Sequence, residues 1–258
     1  MLLSLAANNK ISMKFLVCIS KAPDTTTKIA FTDNNTKFNN DKVVFIVNPY
    51  DEWYALVRAL ELKEKLGGTV TVINVGATDC DAIIRKALAI GADDAVRIDA
   101  EPIDAMFVAK QIAQYVKANA YDLVLCGKET IDYNGSEVGG MIAGLLDWGY
   151  VSLASSLELN GDLATLNREI AGGYETVVVK TPFVLSAAKG MAEARIPNMR
   201  GIMAARTKPV AVVPVFACEN YTTILSYELP KEKTGVKLVS PDNVDELVSL
   251  LHNEAKVI

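Results

Sequence analysis

The chain has 258 residues, of which 50% are hydrophobic and 22% are charged, and its formal net charge is −5. This length suits one large α/β domain with an appendage, and the negative charge argues against a broad nucleic-acid surface. No apolar run reaches the roughly 18 residues needed to cross a bilayer, so no membrane insertion is expected. Residues 1–12 lack the pattern of a secretory signal, and we interpret them as an N-terminal tail.

The chain from Met13 to about residue 150 alternates between apolar runs and amphipathic segments. Asn48 is the expected N-cap of the first helix, Pro49 suits its first turn, and Gly67 and Gly68 end it. This alternation predicts a Rossmann-like α/β fold, with a doubly wound, mostly parallel sheet. The predicted strands are 14–20, 43–47, 70–76, 95–99 and 122–127, and the predicted helical segments are 50–68, 80–93, 104–119 and 136–148.

After Gly149 the pattern changes to that of an added antiparallel hairpin, 163–170 with 174–180. A core strand at 183–187, an exposed loop with a short helix at 188–209 and a last strand at 210–215 follow. We therefore predict a nucleotide-binding domain over residues 13–217.

Residues 218–258 are predicted to form a C-terminal arm that ends in an amphipathic helix capped by Ser240. Its apolar stripe comprises Val244, Leu247, Val248 and Leu251, at helical spacing. Two positions remain open for this stripe, on the chain's own sheet or on a partner chain.

The stretch GKETIDYNGSEVGG, residues 127–140, is the best candidate for a ligand loop. It leaves the carboxyl end of a predicted parallel strand, as do the loops after 14–20 and 70–76, and ligands bind at such ends. Its glycines permit close backbone approach, Ser136 could cap the next helix, and Lys128 could add positive charge. These features favour a nucleotide phosphate near residues 134–139. An ordinary loop with solvated Asp132 and Glu137 is the alternative, since no dinucleotide or P-loop fingerprint is present.

The sequence offers little for bond-making chemistry. It has one histidine, no nucleophile–base set and no cluster with metal-ligand spacing, so we predict binding rather than catalysis and no metal site. Its four cysteines contain no C-x-x-C pair, which favours free thiols, with Cys18 and Cys126 as small hydrophobic residues in strands.

From Met13 onward the sequence closely resembles the β subunit of electron transfer flavoproteins. Two patterns, taken together, are specific for this family. They are G-[KR]-x-x-I-D after a strand and R-E-I-x-G-G-x-E-T. The other matching pieces are FLVCISKAPDTT, NPYDEWYALVRALELKEK, RKALAIGADDAVRI, ARIPNMRGIMAARTKP and the C-terminal DELVSLL.

The resemblance implies an electron carrier that is not itself an enzyme, paired with an α subunit that holds FAD. This chain would hold AMP, or a second FAD in the electron-bifurcating branch that oxidises NADH. Tyr50 would approach the α-subunit flavin. Carried over by position, the nucleotide-binding residues are Cys18, Asn48, Pro49, Tyr50, Asp51, Val75, Gly127, Lys128, Glu129, Thr130, Ile131, Asp132, Tyr133, Asn134, Gly135, Ser136, Glu137 and Val138.

The resemblance also implies partners, namely acyl-CoA dehydrogenases and the quinone oxidoreductase of the electron transfer flavoprotein. Met199 is the expected anchor of a docking loop with an apolar tip and two arginines; its residues are Ala194, Arg195, Ile196, Pro197, Met199 and Arg200. The location would be cytoplasmic in a bacterium and the mitochondrial matrix in a eukaryote. The alternative from another class is a stand-alone adenine-nucleotide-binding enzyme.

Overall fold

The structure is a computed structural model that describes residues 12–49, 51–232 and 235–258. The expectations for the first eleven residues and for Tyr50 lie outside the described residues. The chain divides into two compact units. The larger one contains the described residues up to Ile29 together with Asn40–Ile224, and the smaller one contains Ala30–Asn39 and Leu225–Ile258.

The strands and helices alternate through most of the larger unit, as the periodicity predicts. The strands are β1 (Lys14–Cys18), β2 (Lys21–Pro23), β3 (Phe31–Thr32), β4 (Lys37–Phe38), β5 (Phe45–Val47), β6 (Thr69–Val75), β7 (Asp94–Asp99), β8 (Leu123–Gly127), β9 (Gly149–Asn160), β10 (Leu163–Ile170), β11 (Gly173–Lys180), β12 (Phe183–Ala187) and β13 (Val210–Pro214). The helices are α1 (Asp51–Leu66), α2 (Asp81–Ile90), α3 (Ala105–Ala118), α4 (Val138–Leu146), α5 (Met199–Ala205) and α6 (Val244–Ser249).

Among the described residues, nine strands form one sheet in the order β11-β10-β9-β12-β8-β1-β6-β7-β13. Neighbours from β9 to β13 in this order are parallel, and β10 and β11 add an antiparallel hairpin at one edge. Apolar side chains on one face pack against α1 and α2, and those on the other face pack against α3 and α4. The predicted doubly wound α/β fold is confirmed.

Predicted strand 43–47 does not join this sheet. Only Phe45–Val47 is extended, and it pairs antiparallel with Lys21–Pro23 in a separate two-stranded ribbon. Both sides of β1 are already occupied, by β6 and by β8, so no place next to it remains for the segment. Its apolar composition reflects packing on the main core through Val47 instead.

The sequence analysis did not identify β9, although this strand has twelve residues. Leu153 within it has a φ of +56°, and the pairing register with β12 shifts nearby. A bulge of this kind breaks the two-residue alternation that identifies a strand. The Ser186 hydroxyl accepts the amide N–H of Leu153 at 3.0 Å, which satisfies the bulged backbone.

The caps predicted for α4 and α6 are wrong. The helix predicted from Ser136 begins at Val138, and the residue before it, Glu137, already has helical backbone angles and makes no side-chain cap. The helix predicted from Ser240 begins at Val244, where Asn243 caps it through the amide of Glu246. The start of α4 thus has no side-chain cap, and the cap of α6 lies three residues after Ser240.

The smaller unit contains the short β3–β4 hairpin and the C-terminal segment. The rings of Phe31 and Tyr227 stack with centroids 4.8 Å apart, and the amide of Tyr227 donates to the carbonyl of Asn35. Helix α6 continues into a π-helical turn, Leu250–Ala255. Within the part of the chain that the structure describes, no helix combines the length and apolar character that a membrane crossing would need.

Candidate functional site

The candidate site lies where the order of strands reverses. The chain passes from β1 to β6 and β7 on one side, then returns through α3 to place β8 on the other side of β1. Open α/β sheets bind ligands at such a switch point, beyond the carboxyl ends of the strands. The structure brings together at this edge the three predicted strand ends, Cys18, Val75 and Gly127.

Two of the cysteines lie side by side below the crevice. The registers of β1 and β8 place Cys18 next to Cys126, and both thiols are buried in the same cluster of apolar side chains. A hydrogen bond with Cys126, together with burial, raises the pKa of the Cys18 thiol well above its usual value. Both side chains therefore pack as small apolar groups, as predicted, and the raised pKa keeps the Cys18 thiol neutral.

Asn48 holds the candidate loop instead of capping α1. Its side chain is fully buried, with Nδ2 donating to the carbonyl of Glu129 at 2.9 Å and Oδ1 accepting the amide of Ile131 at 3.1 Å. A buried amide needs partners for both its oxygen and its nitrogen, and the loop after β8 supplies both. The expected cap is thus wrong, and Asn48 fixes the position of Glu129–Ile131.

The two acids at the start of α1 face the same edge. Burial raises the pKa of Asp51, against the opposing effects of Lys128 and of the Glu129 amide, which donates to its carboxylate. The Glu52 carboxyl is hydrogen-bonded to the amide and the hydroxyl of Ser20, at 2.7 Å each. Pro49 lies in the turn before the helix, where its carbonyl accepts the amide of Asp51.

Gly127 is needed for the close approach of β8 to α1. A Cβ at this position would lie 2.8 Å from Cγ of Glu52 and 3.0 Å from its amide nitrogen. Any larger residue would push the end of the strand away from the helix. The glycine at the end of β8 is therefore explained by its packing against the start of α1.

The loop from Thr130 to Gly135 closes on itself. The amide of Thr130 donates to the carbonyl of Gly135, and the amide of Asn134 donates to the carbonyl of Thr130. Asn134 has a left-handed backbone with a φ of +54°, which asparagine tolerates well. The side chains at the tip of the loop are exposed; they are Ile131, Asp132, Tyr133 and Asn134.

Open hydrogen-bond donors follow this loop. Among the described residues, the amides of Ser136 and Glu137 donate to no acceptor, and the first amides of α4 have no partner within the helix. The positive end of the helix dipole lies at the same place, which favours an anion. Lys128 adds less charge than expected, because it pairs with Glu129 at 3.0 Å.

One buried atom of the loop lacks a partner. The hydroxyl oxygen of Thr130 is inaccessible to solvent, and no group among the described residues hydrogen-bonds to it. Leaving such a group unpaired costs about 1–3 kcal/mol, so these positions are usually completed by water or by a ligand. An orphaned hydroxyl beside open amides fits a polar ligand with a phosphate.

The predicted docking segment lies on a different part of the larger unit. Ile196 and Met199 are 89% and 72% exposed, and Met199 does not pack inward as a core residue. Arg195 forms a bidentate ion pair with Glu64 of α1, at 2.6 and 2.9 Å. The other predicted members are Ala194 and Arg200, which are exposed, and Pro197, which is half-buried.

Sequence reasoning missed Glu52 and Trp53 as site residues. Glu52 falls on the buried stripe of α1 with Ala55, Leu56 and Ala59. A carboxyl group on an apolar stripe is a visible signal, because such a group needs a specific partner. Trp53 donates its indole N–H to the carbonyl of Arg195, a contact across 142 residues that no local pattern indicates.

Comparison with known proteins gives one family. The Electron transfer flavoprotein domain matches residues 36–217. The chain is 34% identical over 260 residues to electron transfer flavoprotein subunit beta of Bacillus subtilis, covering 95% of this chain and all of that protein. It is 33% identical over 252 residues to the same subunit of Syntrophomonas wolfei and 32% identical over 256 residues to that of Homo sapiens. These alignments cover 96% and 95% of this chain, respectively, and 99% of each relative.

Proposed function

The chain belongs to the electron transfer flavoprotein β-subunit family, and from this premise we propose that it binds AMP in the crevice between β1 and β8. We further propose that it completes the FAD site of its α subunit and docks acyl-CoA dehydrogenases. The observation that carries the AMP site is the orphaned Thr130 hydroxyl next to the open amides of Ser136 and Glu137.

The residues of the loop fit a nucleoside monophosphate. The amides at the start of α4 can bind a phosphate with full negative charge, and the Thr130 hydroxyl can donate to or accept from a polar group of the ligand. Asn48 would hold the loop in place without contributing a free polar atom, since its side chain is already bonded to Glu129 and Ile131. The proposed role of the bound AMP is structural, and the proposal includes no catalytic residue.

The C-terminal segment supports association with the α subunit. Val244, Leu247 and Val248 of α6 are all exposed, so the residues that the structure describes leave these three members of the predicted stripe open. Removing apolar surface from water is favourable by about 25 cal/mol per Å². A partner that covered this stripe would therefore gain binding free energy. We propose that residues 218–258 form an arm that packs on the α subunit.

The exposed loop 194–200 supports docking of dehydrogenases. It presents apolar Ile196 and Met199 at its surface, with Arg200 beside them. Apolar anchors next to charge suit transient recognition, and flexible methionine adapts to several partner surfaces. Electrons accepted through such complexes would pass towards the quinone pool through the cognate oxidoreductase, in the bacterial cytoplasm or the mitochondrial matrix.

Denaturing the purified heterodimer and chromatographing the released cofactors tests the AMP site. One AMP and one FAD per heterodimer are expected. Two FAD without AMP would place the protein in the bifurcating branch, whose β subunit holds the second flavin. A colourless chain that purifies without an α subunit and hydrolyses ATP would overturn the proposal in favour of a stand-alone enzyme.

A further inference from the structure

The short helix α5 packs on α2 through its small residues. Gly201 lies so close to the end of α2 that a Cβ at this position would overlap the carbonyl oxygen of Ala89. Ala205, four residues further on, is buried, whereas Met199 and Met203 are exposed. Residues four apart lie on the same side of a helix, so α5 presents its methionines on one side and packs its small residues on the other.

Two cations bond to the carbonyls at the C-terminal ends of these helices. Nη1 of Arg85, in α2, donates to the carbonyls of Ala205, the last residue of α5, and of Lys208, at 2.7 Å each. Nζ of Lys208 donates in turn to the carbonyls of Leu88, in the last turn of α2, and of Ala92, just after that helix, at 2.9 and 2.5 Å. The end of each helix is thus bound by a cation from the other segment, where the helix dipole favours positive charge.

The chain on either side of α5 is fixed to other elements. Before the helix, the carbonyl of Arg195 accepts the indole N–H of Trp53 in α1. After the helix, the carbonyl of Pro209 accepts the amide of Ala95 at 3.1 Å, and the chain continues into β13. Between these two attachments, the position of α5 follows from its close packing on α2 and from the bonds of the two cations.

We propose that Arg85 and Lys208 are positioning residues for the docking of acyl-CoA dehydrogenases, because they hold α5, and with it Met199, in one orientation before a partner binds. This inference rests on the proposed docking function. A segment that is already ordered loses little conformational freedom on binding, so more of the contact free energy remains for affinity. Without either cation, only the fraction of molecules with α5 in place is ready to dock, and the apparent affinity falls by that fraction.

Stopped-flow reduction of the flavin in the purified heterodimer, over a range of concentrations of the reduced cognate dehydrogenase, tests this role. Lys208→Met keeps the length of the side chain without its donors, so the dehydrogenase concentration for half the maximal rate should rise about fivefold. The maximal rate should change less than about twofold, because docking restores the position of α5 in the complex. Lys208→Arg retains a cation with N–H donors and should restore most of the affinity.

Lys189→Met is the matched control. It removes the same charge from an exposed position shortly before the docking segment, and it should leave the half-saturating concentration within about twofold of the natural value. Amide hydrogen exchange of the heterodimer without dehydrogenase gives a second measurement. The amides of α5 should exchange severalfold faster in Lys208→Met and in Arg85→Met, whereas those of α3, on the other face of the sheet, should keep their protection.

Four results would overturn the role of the two cations. They are a lower maximal rate at an unchanged half-saturating concentration, an equal shift in Lys189→Met, no rescue by Lys208→Arg, and unchanged exchange of α5 in both methionine variants. Loss of folding or assembly in both methionine variants would also overturn it, since the pair would then stabilise the whole fold. Failure of the docking function itself is a separate outcome, recognised when Met199→Ala and Ile196→Ala leave the half-saturating concentration unchanged.

Discussion

Trp53 at the start of α1 donates its indole N–H to the backbone carbonyl of Arg195, with 3.1 Å between the heavy atoms. The Arg195 side chain reaches back to Glu64 on the same helix. The amino group of Lys86 lies 4.8 Å from the centre of the Trp53 ring. The segment proposed to dock dehydrogenases is therefore attached to the helix that begins at the candidate nucleotide site.

We expect Trp53→Phe to weaken this attachment through one lost hydrogen bond, worth about 1 kcal/mol in the free energy of unfolding. The phenyl ring would still offer an aromatic face to the amino group of Lys86. Flavin reduction by an acyl-CoA dehydrogenase should slow severalfold, because the loop must be ordered again on docking. Chemical denaturation and stopped-flow kinetics measure the two effects. Glu64→Gln is the control, since the exposed ion pair should contribute less than ~1 kcal/mol; a larger loss there than in Trp53→Phe would contradict the prediction.

Met199→Ala should slow electron transfer from the dehydrogenase about tenfold or more, corresponding to at least ~1.4 kcal/mol for a lost interface anchor. AMP content, flavin spectrum and melting temperature should stay almost unchanged, because the side chain is exposed. Ile196→Ala is the comparison for the tip of the loop, and Met203→Ala removes an exposed methionine one turn further along α5. An unchanged rate in Met199→Ala, or an equal loss in Met203→Ala, would contradict its role as the anchor.

Thr130→Val should separate binding from stability. Replacing an unpaired buried hydroxyl with a methyl group should leave the nucleotide-free protein as stable as before or more stable by up to ~1 kcal/mol. The Kd for AMP should nevertheless rise about fivefold, as expected for one lost neutral hydrogen bond of ~1 kcal/mol. Isothermal titration calorimetry measures the Kd for AMP, and melting curves measure the stability. Thr130→Ser keeps the hydroxyl and should keep the affinity, and equal weakening in both variants would assign the effect to packing.

Two glycine substitutions should change the free energy of unfolding in opposite directions. Gly127→Ala places a Cβ 2.8 Å from Glu52, and it should lower both stability and AMP content, with a cost of about 1–3 kcal/mol for overpacking. Gly144→Ala lies within α4, where no atom stands within 4 Å of the new Cβ, and it should stabilise the protein by up to ~1 kcal/mol. Denaturant titrations with cofactor analysis compare them; similar effects from both would refute the packing role of Gly127.

Deleting residues 240–258 should weaken the heterodimer while leaving the nucleotide-binding fold intact. Val248→Asp should have the same effect on a smaller scale, because it places a charge on the exposed apolar stripe of α6. Asn253→Asp adds the same charge off the stripe and serves as the control. Analytical ultracentrifugation gives the affinity of the subunits, and a cooperative melting transition of the truncated chain shows whether its fold survives. An unfolded truncated chain would instead assign the helix to its own core.

The sequence by itself determined the elements whose signals are local. The apolar runs of β1, β6 and β8 and the helical periodicity of α1 to α4 are set within each segment, so their existence and approximate bounds could be predicted. Helix α1 ends at the predicted Gly67 and Gly68, which both take positive φ angles. The candidate ligand loop could be proposed for the same reason, since glycines after a buried strand are visible in the sequence; its role as a ligand site stays a prediction.

Only the tertiary structure decided what depends on distant partners. The crevice exists because β8 lies beside β1, and the strand order is set by crossovers through helices rather than by either strand. Asn48 bonds to a loop 81 residues away instead of capping its helix, and β5 is excluded from the sheet because β6 and β8 occupy both sides of β1. Burial raises the pKa of Glu52 to about 8 against the two hydrogen bonds from Ser20, and both that burial and those bonds come from segments outside α1.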